Sequence, residues 1–410
     1  MLQFPIRPLV KFGLASVFVS VFIVTDFDEA GAAPPVAKRK KPAVSDAATA
    51  VNTVRIPDRG VQPQAAVDTE GTLHLIYLGD APGAANVNYV RKAAGTEKLS
   101  KPVRVNSQSG SAIAIGSIRG PHVAIGKANR VHVAWNGSGT AEPQGQGVKY
   151  GNPMLYTRLA DDGTFEPQRN VIHKAYGLDG GGSVAADLEG NVYVAWHAGD
   201  GTGEENRRVW MAHSTDEGQT FETEATADAD RKGVCGCCGL KSFADRQGTL
   251  YLLYRAAREK VNRDMVLLTS GDHGKTFAGS VTGNWMIATC PMSSEAFVES
   301  PDTVTAAWET EGQVWFSKID KQRHVPAKPI AAPGSPAGRK HPALAVNGKG
   351  ETILVWTEGT GWERGGALAW QVFDEKGRPT KARGRVNEGI PVWSFAAVYT
   401  EPDDSFTILY

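Results

Sequence analysis

The sequence predicts an all-β protein that forms a single β-propeller of four-stranded antiparallel blades, with seven blades favoured and six as the alternative. Two observations carry this prediction. One hairpin pattern occurs seven times between residue 61 and the end of the chain, at intervals of 48–61 residues. Two further strand-like segments follow most of the hairpins, such as "NVNYVRKA" and "KPVRVNS". Short strands that repeat at about this period are typical of propeller blades.

Each hairpin begins with a strand rich in small residues, turns, and continues as an alternating strand that ends in an aromatic residue. Small residues suit innermost strands that crowd around a central axis, and we expect the terminal aromatic residue to pack between neighbouring blades. The turn and aromatic residues, nine positions apart, are Asp68/Tyr77, Gly126/Trp135, Asp187/Trp196, Asp245/Tyr254, Glu299/Trp308, Asn347/Trp356 and Glu401/Tyr410.

The last hairpin ends at Tyr410 without outer strands of its own. Residues 52–58, "NTVRIPD", are predicted to supply an outer strand to this blade and so to close the ring and cover an exposed edge. If the first or the last hairpin does not form a blade, the count becomes six.

The N-terminal segment resembles an export signal. A basic start, an apolar run over residues 12–24 and an A-x-A-like site near Ala33 predict a signal peptide over residues 1–33. An uncleaved anchor is the alternative, although the run is shorter than the roughly 20 residues that span a bilayer. Residues 34–50 are predicted to be a disordered linker, and residues 51–410 form the propeller. We therefore expect a secreted or periplasmic protein with no stable membrane span after cleavage.

The balance of charged residues limits the classes of partner that the sequence allows. Lys and Arg number 44, as do Asp and Glu, so there is no basic excess of the kind that nucleic-acid binding normally requires. Nucleic acid is therefore excluded as an expected partner.

Two octapeptides match almost residue for residue, "STDEGQTF" at 214–221 and "SGDHGKTF" at 270–277. Their aspartates are expected to accept backbone N–H bonds within a turn, their glycines to adopt positive φ, and their phenylalanines to fill the blade core. The shared S-x-D-x-G-x-T-F positions are Ser214, Asp216, Gly218, Thr220 and Phe221 in the first segment, and Ser270, Asp272, Gly274, Thr276 and Phe277 in the second.

These segments resemble the Asp-box, or BNR repeat, of the sialidase-type propeller superfamily, and the resemblance extends from about residue 55 to the end. It implies a sialidase-like fold with the boxes on the blade periphery. It does not imply one activity, because such boxes occur in sialidases, in other glycosidases and in proteins without an enzymatic role. Residues 235–297 resemble more closely exported bacterial sialidase-like proteins with a C-x-C-C stretch, an R-D pair and a C-P pair, here Cys235, Cys237, Cys238, Arg263-Asp264 and Cys290-Pro291.

Several polar residues lie where the innermost strand of a blade begins or where its second strand ends. In a propeller these strand ends all lie at the same mouth of the central channel. Converging polar groups in a concave site predict ligand binding. Arg119, Arg255 and Arg339 come from three blades and could form a clamp for a carboxylate, which points to a glycan or another small anionic ligand. Solvated charges at the rim are the alternative. The predicted ligand-binding residues are Arg119, His122, Asn136, His197, Arg255, Glu309, Arg339, His341 and Glu358, and Asp179 and Trp393 lie at the same mouth.

An exo-α-sialidase-like glycoside hydrolase with an arginine clamp is the alternative function. The resemblance implies that such an enzyme would need three arginines for the substrate carboxylate, a Tyr–Glu nucleophile pair and an aspartate as acid/base. Arg55-Ile56-Pro57 matches the family's arginine motif but stands out of register with the first innermost strand. No tyrosine with a glutamate at a plausible spacing occurs at the mouth. A binding propeller is therefore favoured, and no catalytic residue is assigned.

The four cysteines are predicted to meet at this mouth. Cys237 and Cys238 precede turn residue Asp245 by eight and seven positions, and Cys290 precedes Glu299 by nine. These are equivalent ends of adjacent innermost strands. In an exported protein an even count favours disulfides, one from Cys237 or Cys238 to Cys290 and one from Cys235 to Cys237 or Cys238. The alternatives are a Zn or Cu site at Cys235-x-x-Cys238, completed by Cys237, Cys290, His122 or His197, and free or redox-active thiols.

Overall fold

The strands form seven sheets, one for each hairpin of the sequence pattern. The computed structural model describes residues 48–79, 81–145, 151–199, 201–227, 232–336 and 338–410. The predicted signal peptide and the linker up to residue 47 lie outside these residues. Within them the fold is a seven-bladed β-propeller of mostly four-stranded antiparallel blades, as predicted. None of the described helices is long and apolar enough to cross a membrane.

In blades 1 to 6, four strands follow one another in chain order from the axis outward. After β1 (Val51–Val54), blade 1 comprises β2 (Val61–Val67), β3 (Leu73–Leu78), β4 (Val87–Lys92) and β5 (Val103–Arg104), and blade 2 comprises β6 (His122–Ile125), β7 (Val131–Asn136), β8 (Met154–Arg158) and β9 (Arg169–Asn170). Blade 3 comprises β10 (Leu178–Ala186), β11 (Val192–Ala198), β12 (Arg208–Ser214) and β13 (Ala225–Thr226), and blade 4 comprises β14 (Leu240–Ala244), β15 (Leu250–Arg255), β16 (Met265–Ser270) and β17 (Ala278–Gly283). Blade 5 comprises β18 (Ala296–Glu299), β19 (Thr303–Thr310), β20 (Gln313–Asp320) and β21 (Ile330–Ala331), and blade 6 comprises β22 (Arg339–Val346), β23 (Thr352–Glu358), β24 (Gly366–Phe373) and β25 (Pro379–Ile390). Three short 3₁₀ turns lie at Pro57–Arg59, Lys127–Asn129 and Glu204–Asn206.

Blade 7 closes the ring with strands from both ends of the described chain. It consists of β26 (Ala397–Thr400) and β27 (Phe406–Leu409), and β1 pairs with β27 in parallel. The N–H of Phe406 donates to the Ala50 carbonyl at 3.0 Å, and the N–H of Tyr410 donates to the Val54 carbonyl at 3.0 Å. The prediction that the segment before blade 1 completes this blade is confirmed. The blade has three described strands, and the chain turns away at Pro57.

Seven apolar clusters join the described blades, and each cluster contains residues of two neighbouring blades. In every blade the terminal aromatic residue of the second strand lies in the cluster shared with the preceding blade, as Trp196 does between blades 2 and 3. The predicted packing of these residues is confirmed. Burial of such large side chains supplies much of the apolar stabilisation between sheets that share no backbone hydrogen bonds.

The two S-x-D-x-G-x-T-F turns contain the predicted hydrogen bonds. Asp216 accepts the Thr220 N–H at 2.8 Å and the Ser214 hydroxyl at 2.7 Å, and Asp272 accepts the equivalent groups at 2.9 and 2.7 Å. Gly218 and Gly274 have φ of 76° and 78°. The phenylalanines differ from the expectation: Phe221 packs edge-on against Tyr156 of the preceding blade, and Phe277 packs in the cluster between blades 3 and 4. They therefore fill interfaces between blades rather than the core of one blade.

Trp196→Ala should lower the free energy of unfolding by about 3–5 kcal/mol, because it removes a fully buried side chain from the interface of blades 2 and 3. Chemical denaturation monitored by circular dichroism measures this loss. Trp362→Ala is the matched control, since Trp362 is 52% exposed and should cost less than about 1 kcal/mol. Equal losses for the two variants would contradict the described packing.

Candidate functional site

The loops that precede four innermost strands meet the start of a fifth in a cavity at one end of the channel, which we call the mouth cavity. The loops belong to blades 2, 4, 5 and 7, the strand is β22 of blade 6, and the loop between β23 and β24 forms part of the rim. Together with the solvent at its opening, the cavity occupies about 590 Å³. It is lined by Gly116, Ser117, Ile118, Arg119, Cys237, Met292, Lys340, His341, Thr360, Gly361, Trp362, Arg364, Trp393 and Ser394.

Three of these lining residues have left-handed backbone conformations. The φ angles are 51° for Met292, 51° for His341 and 56° for Trp393, which belong to or precede the innermost strands of blades 5, 6 and 7. At His341 the register of β22 against β23 shifts between Lys340 and Ala343. Such conformations cost roughly 1–3 kcal/mol each in non-glycine residues and tend to occur at functional sites. The repetition in three blades indicates that the backbone is shaped to direct side chains into the cavity.

The lining is cationic. Arg119, Lys340 and Arg364 are basic, and none of the described lining residues is Asp or Glu. Arg119 donates through Nε to the Asp179 carbonyl at 2.7 Å and through Nη2 to the Asp179 carboxylate at 2.8 Å. Lys340 donates to the carbonyl of Pro291, and Arg364 is exposed. Among the described residues, neither Lys340 nor Arg364 has a carboxylate within salt-bridge distance. The cavity therefore presents the positive charges of Lys340 and Arg364 to a ligand.

Two tryptophans form the apolar side of the cavity. The rings of Trp362 and Trp393 are 5.8 Å apart between centroids and inclined by 57°. Trp362 is largely exposed, and the indole nitrogen of Trp393 is buried without a hydrogen-bond partner in the described structure. Exposed indole rings beside polar groups provide a contact surface with a defined orientation.

His341 forms the base of the cavity. Its Nε2 lies 3.0 Å from the Ser117 hydroxyl, and its Nδ1 lies 3.1 Å from the Ser294 hydroxyl. Burial, with a smaller contribution from the Lys340 charge, lowers the pKa of His341 to about 3. The imidazole is therefore neutral at physiological pH and holds loops of blades 2 and 5 against blade 6.

The predicted three-arginine clamp does not form. Arg119 lines the cavity, but Arg255 is buried and donates to the Arg263 carbonyl at 2.8 Å and to the carbonyl of Glu309. Arg339 is also buried, where it contacts Glu358 at 3.2 Å and Gln313 at 3.0 Å. Both guanidinium groups turn towards the outer parts of the blades because carbonyl and carboxylate acceptors are available there. They stabilise the blades and do not reach the cavity wall.

The other predicted residues do not line the mouth cavity. His197 contacts the Cys238 carbonyl at 3.0 Å, and Glu358 is held by Arg339 and Arg385. Asn136 and Glu309 are buried, and atoms of both side chains lack partners in the described structure. Burial raises the pKa of Glu309.

A second, smaller cavity lies deeper along the axis and shares Ser117 and Ile118 with the mouth cavity. His122 lies here, 3.2 Å from the Ser183 hydroxyl and 3.3 Å from Lys241 Nζ. Burial lowers the pKa of Lys241 to about 8 and raises that of Glu295 well above its usual value. The sequence analysis did not single out Lys241 and Glu295, although a charged residue at the start of an otherwise apolar innermost strand was an available signal.

Arg55 is not among the residues that line the mouth cavity. Its guanidinium donates to the Gly389 carbonyl at 2.7 Å and packs over the ring of Tyr410. The Arg-Ile-Pro segment therefore follows β1, the strand that closes the ring, and contributes no residue to the lining of the mouth cavity.

Cys237 and Cys290 form a disulfide that joins the loops preceding β14 and β18, and thus blades 4 and 5. This agrees with the predicted bond from Cys237 or Cys238 to Cys290. Cys235 and Cys238 are buried free thiols. Between them, a Cβ at Gly236 would overlap the guanidinium of Arg207, so a side chain there would require Arg207 to move. The predicted second disulfide is not formed in this structure.

No protein-family model matches the sequence, and no curated protein matches it. Solved structures share the fold at low identity. A protein of unknown function from Dyadobacter fermentans is 13% identical over 82% of this chain and 97% of its own, with a TM-score of 0.52. A Trypanosoma rangeli sialidase is 11% identical over 75% and 54%, with a TM-score of 0.49. A Penicillium chrysogenum α-L-arabinanase is 14% identical over 78% and 95%, also with a TM-score of 0.49. At 13% identity the likeness to the Dyadobacter fermentans protein concerns the fold alone.

Cys290→Ser should lower the free energy of unfolding by about 2–4 kcal/mol, because the lost disulfide spans 53 residues of chain. Denaturant unfolding with and without a thiol reductant measures the effect. The reductant should destabilise the wild-type protein and leave Cys290→Ser almost unchanged. An equal effect of reductant on both proteins would contradict the assignment of this bond.

Stability should fall on acidification, in part through His341. Folding lowers its pKa, so the unfolded chain takes up the proton first, and its contribution to stability is lost as the pH falls from about 6.5 towards 3. Between pH 7 and pH 5 the wild-type protein should lose about 2 kcal/mol more than His341→Asn, whose side chain tolerates the left-handed backbone. The exposed His173→Asn serves as the control and should retain the full loss. Identical pH dependence of wild type and His341→Asn would contradict the described environment of His341.

Proposed function

We propose that the mouth cavity binds an anionic carbohydrate, a sugar that carries a carboxylate. The observation that carries the proposal is the convergence of Arg119, Lys340 and Arg364 with two tryptophans in a cavity without an acidic lining residue among those described. Concave sites with a few oriented polar groups are the usual ligand sites of proteins.

Each side of the cavity suits one part of such a ligand. Guanidinium and ammonium groups form strong charge-assisted hydrogen bonds with a carboxylate. The indole faces of Trp362 and Trp393 can cover the apolar C–H face of a sugar ring, and their inclination gives the ring two surfaces to contact. The hydroxyl groups of Ser117 and Thr360 are nearby polar partners for sugar hydroxyls.

Binding is favoured over glycoside hydrolysis of the exo-α-sialidase type. Hydrolysis requires a nucleophile and an acid/base group beside the scissile bond, and no Asp, Glu or Tyr is among the described lining residues. Asp179, the carboxylate next to the rim, is engaged by Arg119 and lies 3.5 Å from Arg207. Glu295 and Glu309 are buried deeper in the molecule.

We further propose that the protein acts outside the cytoplasm. The Cys237–Cys290 disulfide supports this location, because such bonds persist in oxidising compartments. The expected export signal points the same way.

Isothermal titration calorimetry with sialic acid and uronic acid oligosaccharides, chosen from a glycan array, tests the proposal. Arg364→Ala should weaken binding about tenfold or more, since one charged hydrogen bond contributes roughly 1.5–3 kcal/mol. Trp362→Ala should weaken binding by a similar factor, because it removes an aromatic contact surface for the sugar ring. Arg246→Ala is the matched control, because Arg246 is an exposed arginine beside Glu299 at the opposite end of the channel. The same oligosaccharides with the carboxylate reduced to an uncharged alcohol should bind much more weakly.

Two results would contradict the proposal. One is the absence of binding to any acidic glycan on the array by the folded protein. The other is turnover of a fluorogenic sialoside that is lost in Arg119→Ala, which would favour the hydrolase instead.

A further inference from the structure

Cys235 and Cys238 form a pair of thiols beside the disulfide that the proposed glycan site does not use. Their sulfur atoms are 3.1 Å apart, and the side chains are 1% and 0% exposed. Cys235 Sγ also lies 3.8 Å from Cys237 Sγ. Together with Ala257, these thiols form a small cluster sealed from solvent. Two adjacent soft donor atoms in the C-x-x-C spacing are therefore held away from water.

Charged groups of both signs surround the pair, and two arginines among them are incompletely hydrogen-bonded. Arg263 is 5% exposed, and its Nε and Nη1 have no partner in the described structure, although its Nη2 contacts Glu204 at 2.8 Å. Arg255 has an unpartnered Nε. A carboxylate oxygen of Glu204 lies within 4.8 Å of the sulfurs of Cys235, Cys237 and Cys290, which places the Arg263 guanidinium beside the thiols. Buried N–H donors without acceptors are costly, and an anionic group at the sulfurs would compensate for them.

We propose that Cys235 and Cys238 bind one Cu(I) ion as a pair of thiolates while the Cys237–Cys290 disulfide remains intact. Binding removes one proton from each thiol and forms two Cu–S bonds, and no electron is transferred. The resulting bis-thiolate complex has one negative charge, which the unpartnered N–H groups of Arg263 and Arg255 stabilise. The inference goes beyond the proposed glycan binding and does not depend on it.

The donor set selects Cu(I) over Zn²⁺. Thiolates are soft ligands that favour Cu(I), and this ion accepts two of them once the sulfurs, 3.1 Å apart here, move apart to admit it between them. Structural Zn²⁺ almost always has four ligands, whereas two of the four cysteines are consumed by the disulfide. The histidines that the sequence analysis considered as ligands are engaged elsewhere: His197 contacts the Cys238 carbonyl, and His122 contacts Lys241.

The test uses the full chain purified without oxygen or added reductant. Thiol counting on the denatured, non-reduced protein should give two free thiols, and titration with Cu(I) against the chelator bicinchoninate should give one ion per chain. Cys235→Ser and Cys238→Ser should each weaken Cu(I) binding at least a hundredfold. X-ray absorption of the loaded protein should show sulfur neighbours without nitrogen or oxygen.

Variants of Arg263 separate the charge effect from loss of a ligand. Arg263→Met should weaken Cu(I) binding about tenfold, and Arg263→Lys, which retains the charge, should bind within about threefold of wild type; thermal unfolding checks that both variants fold. A count of zero free thiols would indicate a Cys235–Cys238 disulfide and overturn the proposal. So would wild-type affinity in the Cys235→Ser/Cys238→Ser double variant, or a preference for Zn²⁺ over Cu(I).

Discussion

Seven sheets surround one axis here because the last blade includes a strand from the other end of the described chain. The pairing of β1 with β27 places Val51–Val54 outside the final hairpin and brings blade 7 against blade 1. Every blade then has two neighbours, and every terminal aromatic residue has a preceding blade to pack against. An open ring would expose one such apolar face and one sheet edge to water, which is costly and promotes aggregation.

Closure also determines where the chemistry lies. Because all innermost strands run in the same direction relative to the axis, the loops before them converge at one mouth, although they are separated by many residues in the chain. Gly116 and Trp393 line one cavity, almost 280 residues apart in the sequence. The same convergence places Cys237 next to Cys290 and brings the partly buried Lys241 and the buried Glu295 to the axis. The disulfide reinforces blades 4 and 5 beside the mouth, and His341 links the loop of blade 5 that contains Cys290 to the loop before blade 2 by neutral hydrogen bonds.

Much of this arrangement could be predicted from the repeats. The nine-residue spacing identified the hairpins and the residues between blades, and the positions of Cys237 and Cys290 relative to their turns placed them together. The direction of each side chain at a strand end could not be predicted. Arg255 and Arg339 stand at mouth positions in the sequence, yet acceptors such as the Arg263 carbonyl and Gln313 draw them into the blades. Trp362 and Arg364 were missed because they belong to the loop between β23 and β24 rather than to a strand end. The left-handed backbone conformations at His341 and Trp393 could not be predicted either, because the alternation of apolar and polar residues along a strand does not reveal them.

Hydrogen–deuterium exchange of the intact protein, resolved to individual amides, tests ring closure most directly. The amides of Phe406, Tyr410 and Ile56 donate to Ala50, Val54 and Tyr410 across the closing pair. If β1 closes the ring, these amides should exchange as slowly as the paired amides between β15 and β16 in blade 4. Exchange at the rate of exposed loops, while blade 4 stays protected, would mean that β1 does not hold the ring together and would contradict the account.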